Sequence, residues 1–394
     1  MNSTLIQHIE TNKKSVVAHI STPTVLFVID TLQTGGSEVS LLENIVRFTR
    51  INAVVVHIYK GDELKGRFQA NNIPVYSLDV PGRYSLYKAY RMLNGIINRV
   101  QPDLVVAYLT RSEIVSRIAG RINKVPVVGT FVSELYSKEY NRTLSFKARI
   151  GVNIFKTINR LTAPLCKGFV ANSQSIKTSN SVALGIRLDK VEVIHRGRNA
   201  SRFYYRDHRF DAARPVRFLN VGRLVASKNQ ETLVRGFALF EKNHPGATLH
   251  IAGEGPLRNH LENLVESLGL KNQVVLAGTS NRVHELMHEH DALVSASASE
   301  GFSGTLVEAA LSGIPILAGD IGPNREIIEH HKNGYLFNSH SAEEIATAMQ
   351  WFTENPEDAF QMAKIAHRHC ISHFSIETQA AAFETYLLKM ISAS

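Results

Sequence analysis

Short runs of apolar residues recur along the chain, and each is followed by a longer stretch in which apolar positions return at helical spacing. Runs that are apolar throughout predict strands buried on both faces, and their alternation with helices predicts parallel sheets. In the first half the predicted strands are residues 25–29, 53–58, 74–78, 104–107, 125–129 and 169–171. In the second half they are residues 216–221, 248–252, 274–277, 292–295 and 314–318.

The series of strands and helices occurs twice, which predicts an α/β chain of two Rossmann-like domains. The length of 394 residues agrees with two domains, because one hydrophobic core seldom serves so long a chain. The junction is predicted within the polar stretch 196–214, which has low periodicity. Ligands of open α/β sheets bind beyond the carboxyl ends of the strands, so we expect the site in the cleft between the domains. The predicted segments are a disordered tail over 1–23, domains over 24–196 and 197–373, and a final helix over 374–394.

The stretch SASEGFSGTLVEAALSGIPILAG in the second half contains the strongest candidate for a binding site. A loop with two glycines, over 301–304, follows Glu300 and leads into a helical pattern. Gly313 stands where a helix commonly ends, and Glu308 is predicted in the first turn. The unpaired N–H groups and the positive dipole at the start of a helix attract anions. The pattern therefore predicts an anion site flanked by two carboxylates, although both glutamates also fit an ordinary loop and helix start.

A glycine turn follows the first predicted strand. Gly35 and Gly36 would let a ligand approach the backbone closely, and Ser37 or Ser40 would cap the helix that follows. An ordinary turn between strand and helix explains this stretch equally well, because the dinucleotide motif G-x-G-x-x-G is absent.

Two cations follow the first strand of the second half. Arg223 follows Gly222 at the predicted carboxyl end of a parallel strand, and Lys228 opens the helix predicted after it. There they would face the same cleft as Glu300, and together they could neutralise a diphosphate leaving group. Without the neighbouring anion site, two such cations would more often be solvated surface residues.

The chain is basic, with a formal net charge of +9 and a pI near 9.4. This excess favours an acidic partner, which means a phosphate-bearing ligand, an anionic membrane surface or nucleic acid. Nucleic acid has only bulk charge in its favour, because no recognition module occurs. Two cysteines exclude a disulfide framework and favour a reducing compartment. No apolar run is long enough to span a membrane, and the N-terminus lacks the pattern of a secretory signal.

The segment 138–167 contains seven Lys/Arg and one acidic residue, and Ile150, Ile154, Ile158 and Leu161 repeat in it at helical spacing. Two interpretations stay open. The preferred one is a helix whose apolar stripe faces the core and whose cations are solvated. The alternative is a helix that lies on an anionic bilayer surface.

Taken in order, these motifs resemble those of the large family of retaining GT-B glycosyltransferases, the family 4 type. The resemblance covers nearly the whole chain after residue 24 and is strongest beyond residue 216. Each motif is weak by itself, whereas the ordered set is highly specific. The motifs are Gly35-Gly36-x-Glu38, Val221-Gly222-Arg223-x4-Lys228, Gly253-Glu254-Gly255-Pro256, Glu300-x7-Glu308 and Gly313-x-Pro315.

The resemblance implies a GT-B fold, in which two Rossmann-like domains face each other across a cleft and the C-terminal helix crosses back to the first domain. It implies retaining transfer of a hexosyl-type sugar from a nucleotide diphosphate donor, for which UDP is commonest in that family. The acceptor would be a glycan or lipid-linked saccharide of surface polysaccharide, lipopolysaccharide or glycolipid synthesis. No metal or cofactor is implied, and the chain has no Asp-x-Asp motif. A cytoplasmic enzyme, peripheral on the inner face of the membrane, would fit such acceptors.

The resemblance also implies roles for individual residues. Arg223 and Lys228 would bind the donor diphosphate and stabilise its departure, and Glu300 would bind hydroxyls of the transferred sugar. Glu308 would bind the ribose, and the N–H groups of residues 305–306 would face the phosphate. The other contacts to the nucleotide sugar would come from Gly35, Gly36, Gly222, Gly253, Gly255, Gly278, Thr279, Gly301, Phe302, Ser303, Thr305 and Leu306.

Two departures from the family pattern concern the acceptor side. Many relatives have a histidine shortly after the strand equivalent to 125–130, where this chain has Ser133 and Glu134. After the interdomain strand, Arg196 and Arg198 replace residues of the usual Asn-Gly-Val/Ile-Asp, and they would either sense a phosphate-bearing acceptor or form a basic linker. Two rival functions stay open: a GT-B sugar-nucleotide epimerase, and a non-catalytic partner subunit that binds a nucleotide sugar.

Overall fold

The computed structural model describes residues 22–82, 84–133, 135–136, 145–207 and 210–392. Apart from residues 22 and 23, the predicted disordered tail lies outside the described residues, and Glu134 does too. Within the described ranges the chain forms two parallel sheets, one from each half of the sequence, and helices flank both.

The first sheet has the strand order β3-β2-β1-β4-β5-β6-β7, with every neighbouring pair parallel. The side chains of its central strands β1 and β4 are almost wholly buried, because helices cover both faces. In the described ranges the strands are β1 Thr24–Ile29, β2 Asn52–His57, β3 Val75–Ser77, β4 Leu104–Tyr108, β5 Val127–Phe131, β6 Gly168–Ala171 and β7 Val191–Val193. The helices are α1 Gly36–Ile45, α2 Lys65–Gln69, α3 Leu86–Val100, α4 Thr110–Asn123, α5 Phe146–Thr162 and α6 Gln174–Leu184, and the short 3₁₀ turns are Ala163–Leu165 and Leu188–Lys190.

The second sheet repeats the design with the order β10-β9-β8-β11-β12-β13, again parallel throughout. In the described ranges its strands are β8 Arg217–Val221, β9 Thr248–Ala252, β10 Val274–Gly278, β11 Ala292–Ser295, β12 Ile316–Gly319 and β13 Tyr335–Phe337. The helices are α7 Gln230–Glu241, α8 Arg258–Ser267, α9 Val283–Glu289, α10 Gly304–Ser312, α11 Gly322–Arg325, α12 Ala342–Glu354, α13 Pro356–Phe374 and α14 Ile376–Ser392, and Ala226–Lys228 is a 3₁₀ turn.

The last helix, α14, returns to the first half of the chain. The ring of Phe383 packs edge-on against Phe48 with 5.9 Å between the ring centroids. The hydroxyl of Tyr386 donates a hydrogen bond to the carbonyl of Phe169 in β6, at 3.2 Å. The predicted α/β architecture, with two Rossmann-like halves and a C-terminal helix that crosses back, is confirmed.

The predicted strands lie close to the observed ones, but the apolar pattern missed β7 and β13. Both are edge strands of three residues, too short to stand out from their surroundings. β5 and β12 begin later than predicted. Each starts directly after a proline, Pro126 or Pro315, which has no N–H to donate to the strand ladder.

Helix α5 overturns the preferred interpretation of the segment 138–167. Three of the four residues of its predicted apolar stripe are exposed and do not face the core, namely Ile150 (47%), Ile154 (55%) and Leu161 (75%), whereas Ile158 is partly buried. The residue that α5 buries is Asn159, a polar one that bonds to α4. Residues 137–144 of the segment lie outside the described ranges. Across those ranges, no helix combines the length and apolarity needed to cross a bilayer.

Candidate active site

The carboxyl edges of the two sheets face each other across a cleft, which holds a cavity of about 780 Å³ lined by both halves of the chain. The candidate residues that line it are Gly35, Gly36, Ser133, Arg196, Arg198, Gly222, Arg223, Lys228, Glu300, Gly301, Phe302 and Thr305. Other candidates lie outside this lining, namely Gly253, Gly255, Gly278, Thr279, Ser303, Leu306 and Glu308. Glu134 lies outside the described residues.

Helix α10 begins at the cleft, where Gly304 and Thr305 line the cavity. Ser303 caps the helix, because its Oγ accepts the N–H of Leu306 at 3.4 Å. The N–H of Leu306 therefore bonds within the helix cap, whereas the sequence-based expectation was that it would face the phosphate. Since the helix starts at Gly304, Glu308 lies in the second turn and not in the first.

The glycine turn before α1 also opens onto the cleft. The helix begins at Gly36 with Gly35 as its N-cap, which has no side chain to cap it, and the carboxylate of Glu38 accepts the backbone N–H of its own residue. The prediction that Ser37 or Ser40 caps the helix is wrong, because the helix starts before either residue. The Glu38 carboxylate, which also lines the cavity, therefore engages one of the backbone N–H groups of this first turn.

Lys228 and Glu300 form an ion pair in the cleft wall, with Nζ donating to Oε1. Their side chains keep only 22% and 12% of their surface exposed. The carbonyl of Ser227 accepts the N–H groups of Ala298 and Ser299, at 2.9 and 3.4 Å. These bonds join the turn after β8 to the loop after β11, so the cation and carboxylate meet although 72 positions separate them.

Arg223 is exposed at the cavity, and within the described ranges no ion pair or side-chain hydrogen bond engages its guanidinium. The turn that carries it rests on the turn after β9. Gly253 lies so close to the carbonyl of Gly222 that a Cβ there would collide with it. Gly253 therefore packs against the turn that carries Arg223 and does not line the cavity. The guanidinium of Arg223 remains available to an anion.

Arg198 links the two halves beside the cavity. Its Nε donates to Oε1 of Glu308 in α10 at 2.6 Å, and its Nη1 lies 3.5 Å from Oε2 of Glu43 in α1. Burial raises the pKa of Glu43, and the charge of Arg198 opposes that rise. Arg198 thus fixes the carboxylate of Glu308, the residue expected to bind the ribose.

Arg196 contributes a second positive charge from the linker. Burial, reinforced by the neighbouring charge of Arg198, lowers the pKa of Arg196 to about 10. Its Nη1 lies beside Gly36, 3.1 Å from where a Cβ would stand. Burial also raises the pKa of Glu38 in the first turn of α1, while Arg196 and Arg223 act in the opposite direction. Among the described residues, the lining of the cleft cavity therefore combines the cations Arg196, Arg198, Arg223 and Lys228 with the carboxylates Glu38, Glu63 and Glu300.

Two family models match adjacent parts of the chain: Glycosyltransferase Family 4 over residues 34–202 and Glycosyl transferases group 1 over residues 206–369. The Anabaena protein HepE, solved in complex with UDP-glucose, matches with a TM-score of 0.79 at 22% identity, over 93% of this chain and 100% of that chain. The crystal structure of TarM matches with a TM-score of 0.72 at 14% identity, over 94% and 99%. The fold is GT-B.

Curated proteins also resemble parts of this GT-B chain. The poly(ribitol-phosphate) alpha-N-acetylglucosaminyltransferase of Staphylococcus aureus is 28% identical over 161 residues, which are 40% of this chain and 32% of that protein. The glycogen synthase of Mycobacterium tuberculosis is 27% identical over 212 residues, 53% of this chain and 51% of that protein. The chain thus spans about half or less of the length of these relatives. Together with the family models, these matches support a glycosyltransferase.

A polar cluster that was not predicted lies at the switch point of the first GT-B sheet, between β1 and β4. Asp30, directly after β1, accepts the hydroxyl and the N–H of Ser112 at 2.6 and 3.1 Å, and Nη1 of Arg111 lies 3.4 Å away. Burial raises the pKa of Asp30, while these bonds lower it. The sequence did contain a signal for this cluster, since Asp30 is a carboxylate directly after a buried strand. Such positions lie at the ligand-binding crevice of an open α/β sheet.

A buried ion pair in α4 was also missed. Arg117 donates to Glu113 at 3.0 Å and to the side chain of Asn159 in α5, and Glu113 accepts the N–H of Thr130 in β5 at 2.9 Å. Burial raises the pKa of Glu113, opposed chiefly by the charge of Arg117. This network fastens α5 and the end of β5, next to the position of Ser133 in the cleft.

Proposed function

We propose that this chain is a retaining glycosyltransferase that moves a hexosyl-type sugar from a nucleotide diphosphate, a UDP-sugar first of all, to a glycan or lipid-linked saccharide of surface polysaccharide or glycolipid synthesis. The observation that carries the proposal is the cleft between two parallel sheets, where cations, a paired carboxylate and a helix start converge. The binding of UDP-glucose by HepE and the activity named for the S. aureus relative are consistent with it.

In this proposal the donor lies mainly on the second half. The guanidinium of Arg223 and the ammonium of Lys228 neutralise the diphosphate, with help from the N–H groups at the start of α10. Glu308 accepts hydrogen bonds from the ribose hydroxyls, and Glu300 from hydroxyls of the sugar. Because Lys228 is paired with Glu300 before the donor enters, the two side chains are already in position for it.

The reaction exchanges one bond for another at the anomeric carbon. The bond from that carbon to the diphosphate oxygen breaks, and a bond to the acceptor oxygen forms on the same face. The departing phosphate takes the proton of the acceptor hydroxyl, so no side chain has to act as the base. Arg223 and Lys228 stabilise the charge that develops on the leaving group, which is the role that a metal ion fills in other transferases. We therefore propose that transfer is metal-independent.

The nucleotide site is tested by calorimetric titration of UDP, GDP and ADP into the protein and into Glu308→Ala. We expect UDP to bind, and the variant to bind it at least about tenfold more weakly, since a hydrogen bond to a charged group contributes roughly 1.5–3 kcal/mol. Glu354→Ala, which removes an exposed carboxylate of α12, is the matched control and should bind like the unchanged protein. If none of the three nucleotides binds, the cleft is not a nucleotide site and the proposal fails.

Turnover separates the proposal from its rivals. Incubation with a bound donor and saccharide acceptors should release nucleoside diphosphate only when an acceptor is present, and the product should keep the donor's anomeric configuration by NMR. Conversion of the free sugar nucleotide without acceptor would instead indicate an epimerase. Tight binding without turnover across an acceptor panel would indicate a binding subunit.

A further inference from the structure

Glu38 is a buried carboxylate of the cleft that has no role in the function proposed so far. It lies in the first turn of α1 and lines the cleft cavity, although only 9% of the residue is exposed. Gly35 leaves room for this side chain, because a Cβ at Gly35 would collide with Oε2 of Glu38. Within the described ranges no cation forms an ion pair with Glu38. An unpaired carboxylate therefore stands in the wall of a cavity that is proposed to bind a diphosphate.

The charges that line the cavity balance one another before a donor enters. Arg198 is already paired with Glu308 and Glu43, which lie outside the lining. The other charged residues of the described lining are three cations and three carboxylates, namely Arg196, Arg223, Lys228, Glu38, Glu63 and Glu300. A donor brings a negative charge on each of its phosphates, so its binding leaves the cavity with an excess of negative charge. Protonation of one carboxylate would remove part of that excess.

Two of the three carboxylates are held in the ionised form by their partners. Glu63 is exposed, and the N–H of Thr34, which donates to its Oε2 at 2.9 Å, lowers the pKa of Glu63. Glu300 is in an ion pair with Lys228. Glu38 has neither the exposure of the first nor the cation of the second, so it is the carboxylate best placed to take a proton.

The groups around Glu38 point to the same residue. Burial raises the pKa of Glu38, its own backbone N–H opposes that rise, and the charge of Asp30 beyond β1 adds to it. The charges of Arg196 in the linker and Arg223 after β8 also oppose the rise. A diphosphate bound by Arg223 would offset the positive charges that favour the ionised form of Glu38. Donor binding and protonation of Glu38 should therefore favour each other.

We propose that Glu38 binds the donor diphosphate as a neutral carboxylic acid, which takes its proton from solvent as the donor enters and donates that O–H to a phosphate oxygen. The inference rests on the proposed glycosyltransferase function and adds a donor ligand from the first half of the chain. No bond of the donor breaks in this step, and the proton returns to solvent when the nucleotide leaves. Because the neutral Glu38 no longer attracts Arg196 and Arg223, both guanidinium groups become available to the diphosphate.

Calorimetric titration of UDP-glucose into the full chain tests the proton uptake. Titration at one pH in two buffers of different ionisation enthalpy gives the number of protons bound with the ligand. UDP-glucose is the suitable probe, because it lacks the terminal phosphate of UDP, whose own pKa of about 6 would contribute. We expect uptake within the range from about pH 5 to 8, above the ordinary pKa of a glutamate. In the window between the pKa of Glu38 in the free protein and in the complex, affinity should fall as the pH rises.

Glu38→Gln assigns the proton to this residue. The amide has nearly the same shape and can donate to a phosphate oxygen, but it does not titrate. The variant should show no uptake and no fall of affinity with pH. At about pH 8 it should bind UDP-glucose more tightly than the unchanged protein, about tenfold for each pKa unit that the donor adds to Glu38. Glu63→Gln removes the exposed carboxylate of the same lining and is the matched control, which should retain the uptake.

Each outcome bears on a separate statement. Uptake that persists in Glu38→Gln would assign the proton to another group, such as His195 beside the cleft, and would overturn the inference. So would binding of UDP-glucose to the unchanged protein without uptake across this pH range, a measurement that needs no variant to fold; the proposed function would then stand. If neither UDP nor UDP-glucose binds, the proposed function fails and the inference fails with it.

Discussion

Replacing Arg198 with alanine tests whether this residue joins the two halves of the chain. Arg198 is 8% exposed, its Nε lies 2.6 Å from Glu308, and its Nη1 lies 3.5 Å from Glu43. Removal of one partner of a buried ion pair costs about 3–5 kcal/mol, because the remaining charge is left without compensation. The Glu308 side chain keeps 16% of its surface in water, which offsets part of this cost. We therefore expect Arg198→Ala to lower the free energy of unfolding by about 3 kcal/mol at neutral pH.

The pH dependence follows from the carboxylates that Arg198 leaves behind. Burial already raises the pKa of Glu43 above its ordinary value, and loss of Arg198 raises it further. In the window between the ordinary and the raised pKa the folded state binds more protons than the unfolded state, so stability falls as the pH rises through that window. The deficit of Arg198→Ala should therefore be largest at neutral pH and shrink as the pH is lowered towards about 5.

Urea unfolding at both pH values measures the effect. The matched control is Arg235→Ala, which breaks an exposed pair with Glu231 in α7 (side chains 49% and 43% exposed) and should cost no more than about 0.5 kcal/mol. A deficit for Arg198→Ala below about 1 kcal/mol would refute the argument that this pair is a buried link. So would a deficit of equal size at both pH values.

Two further changes probe the packing around the cleft. Arg117→Ala should lower the free energy of unfolding, measured by thermal or urea denaturation, by about 3–5 kcal/mol, because it leaves the buried carboxylate of Glu113 without a partner. The double change Glu113→Gln/Arg117→Met removes both charges and should recover most of the loss. An equal loss in both variants would contradict this reasoning. Gly301→Ala should weaken UDP binding in the calorimeter more than it lowers the melting temperature, because its Cβ would collide with the carbonyl of Val132 across the cleft and force the halves apart. An unchanged affinity for UDP would show that the halves need not approach here.

Local pattern predicted most of the fold. The apolar runs placed the strands because a strand buried between helix layers needs apolar side chains on both faces. Gly313 ends α10 with a φ of 79°, a left-handed conformation that glycine adopts without strain, so the end of the helix was visible in the residue type. The loop that leads into α10 and the glycine turn before α1 were predicted for similar reasons, since each depends on a few neighbouring residues.

Other features depend on contacts that sequence spacing does not contain. Whether the stripe of α5 faces the core could not be decided from periodicity, which is identical for a covered and an exposed stripe. The structure leaves Ile150 and Ile154 exposed because α5 attaches to α4 through the polar side chain of Asn159. Likewise, Arg198 and Glu308 stand 110 positions apart, and their pairing exists only because the two sheets face each other.

The sequence by itself thus determined the elements, their alternation in two parallel series and the turns able to meet an anion, because these follow from residues close together in the chain. The tertiary structure alone decided which of those residues share one cavity and that Lys228 and Arg198 are already paired with carboxylates. The physical reason is that helix α14 and the linker set how the halves are placed, and charges interact according to their distance in space rather than their distance in sequence.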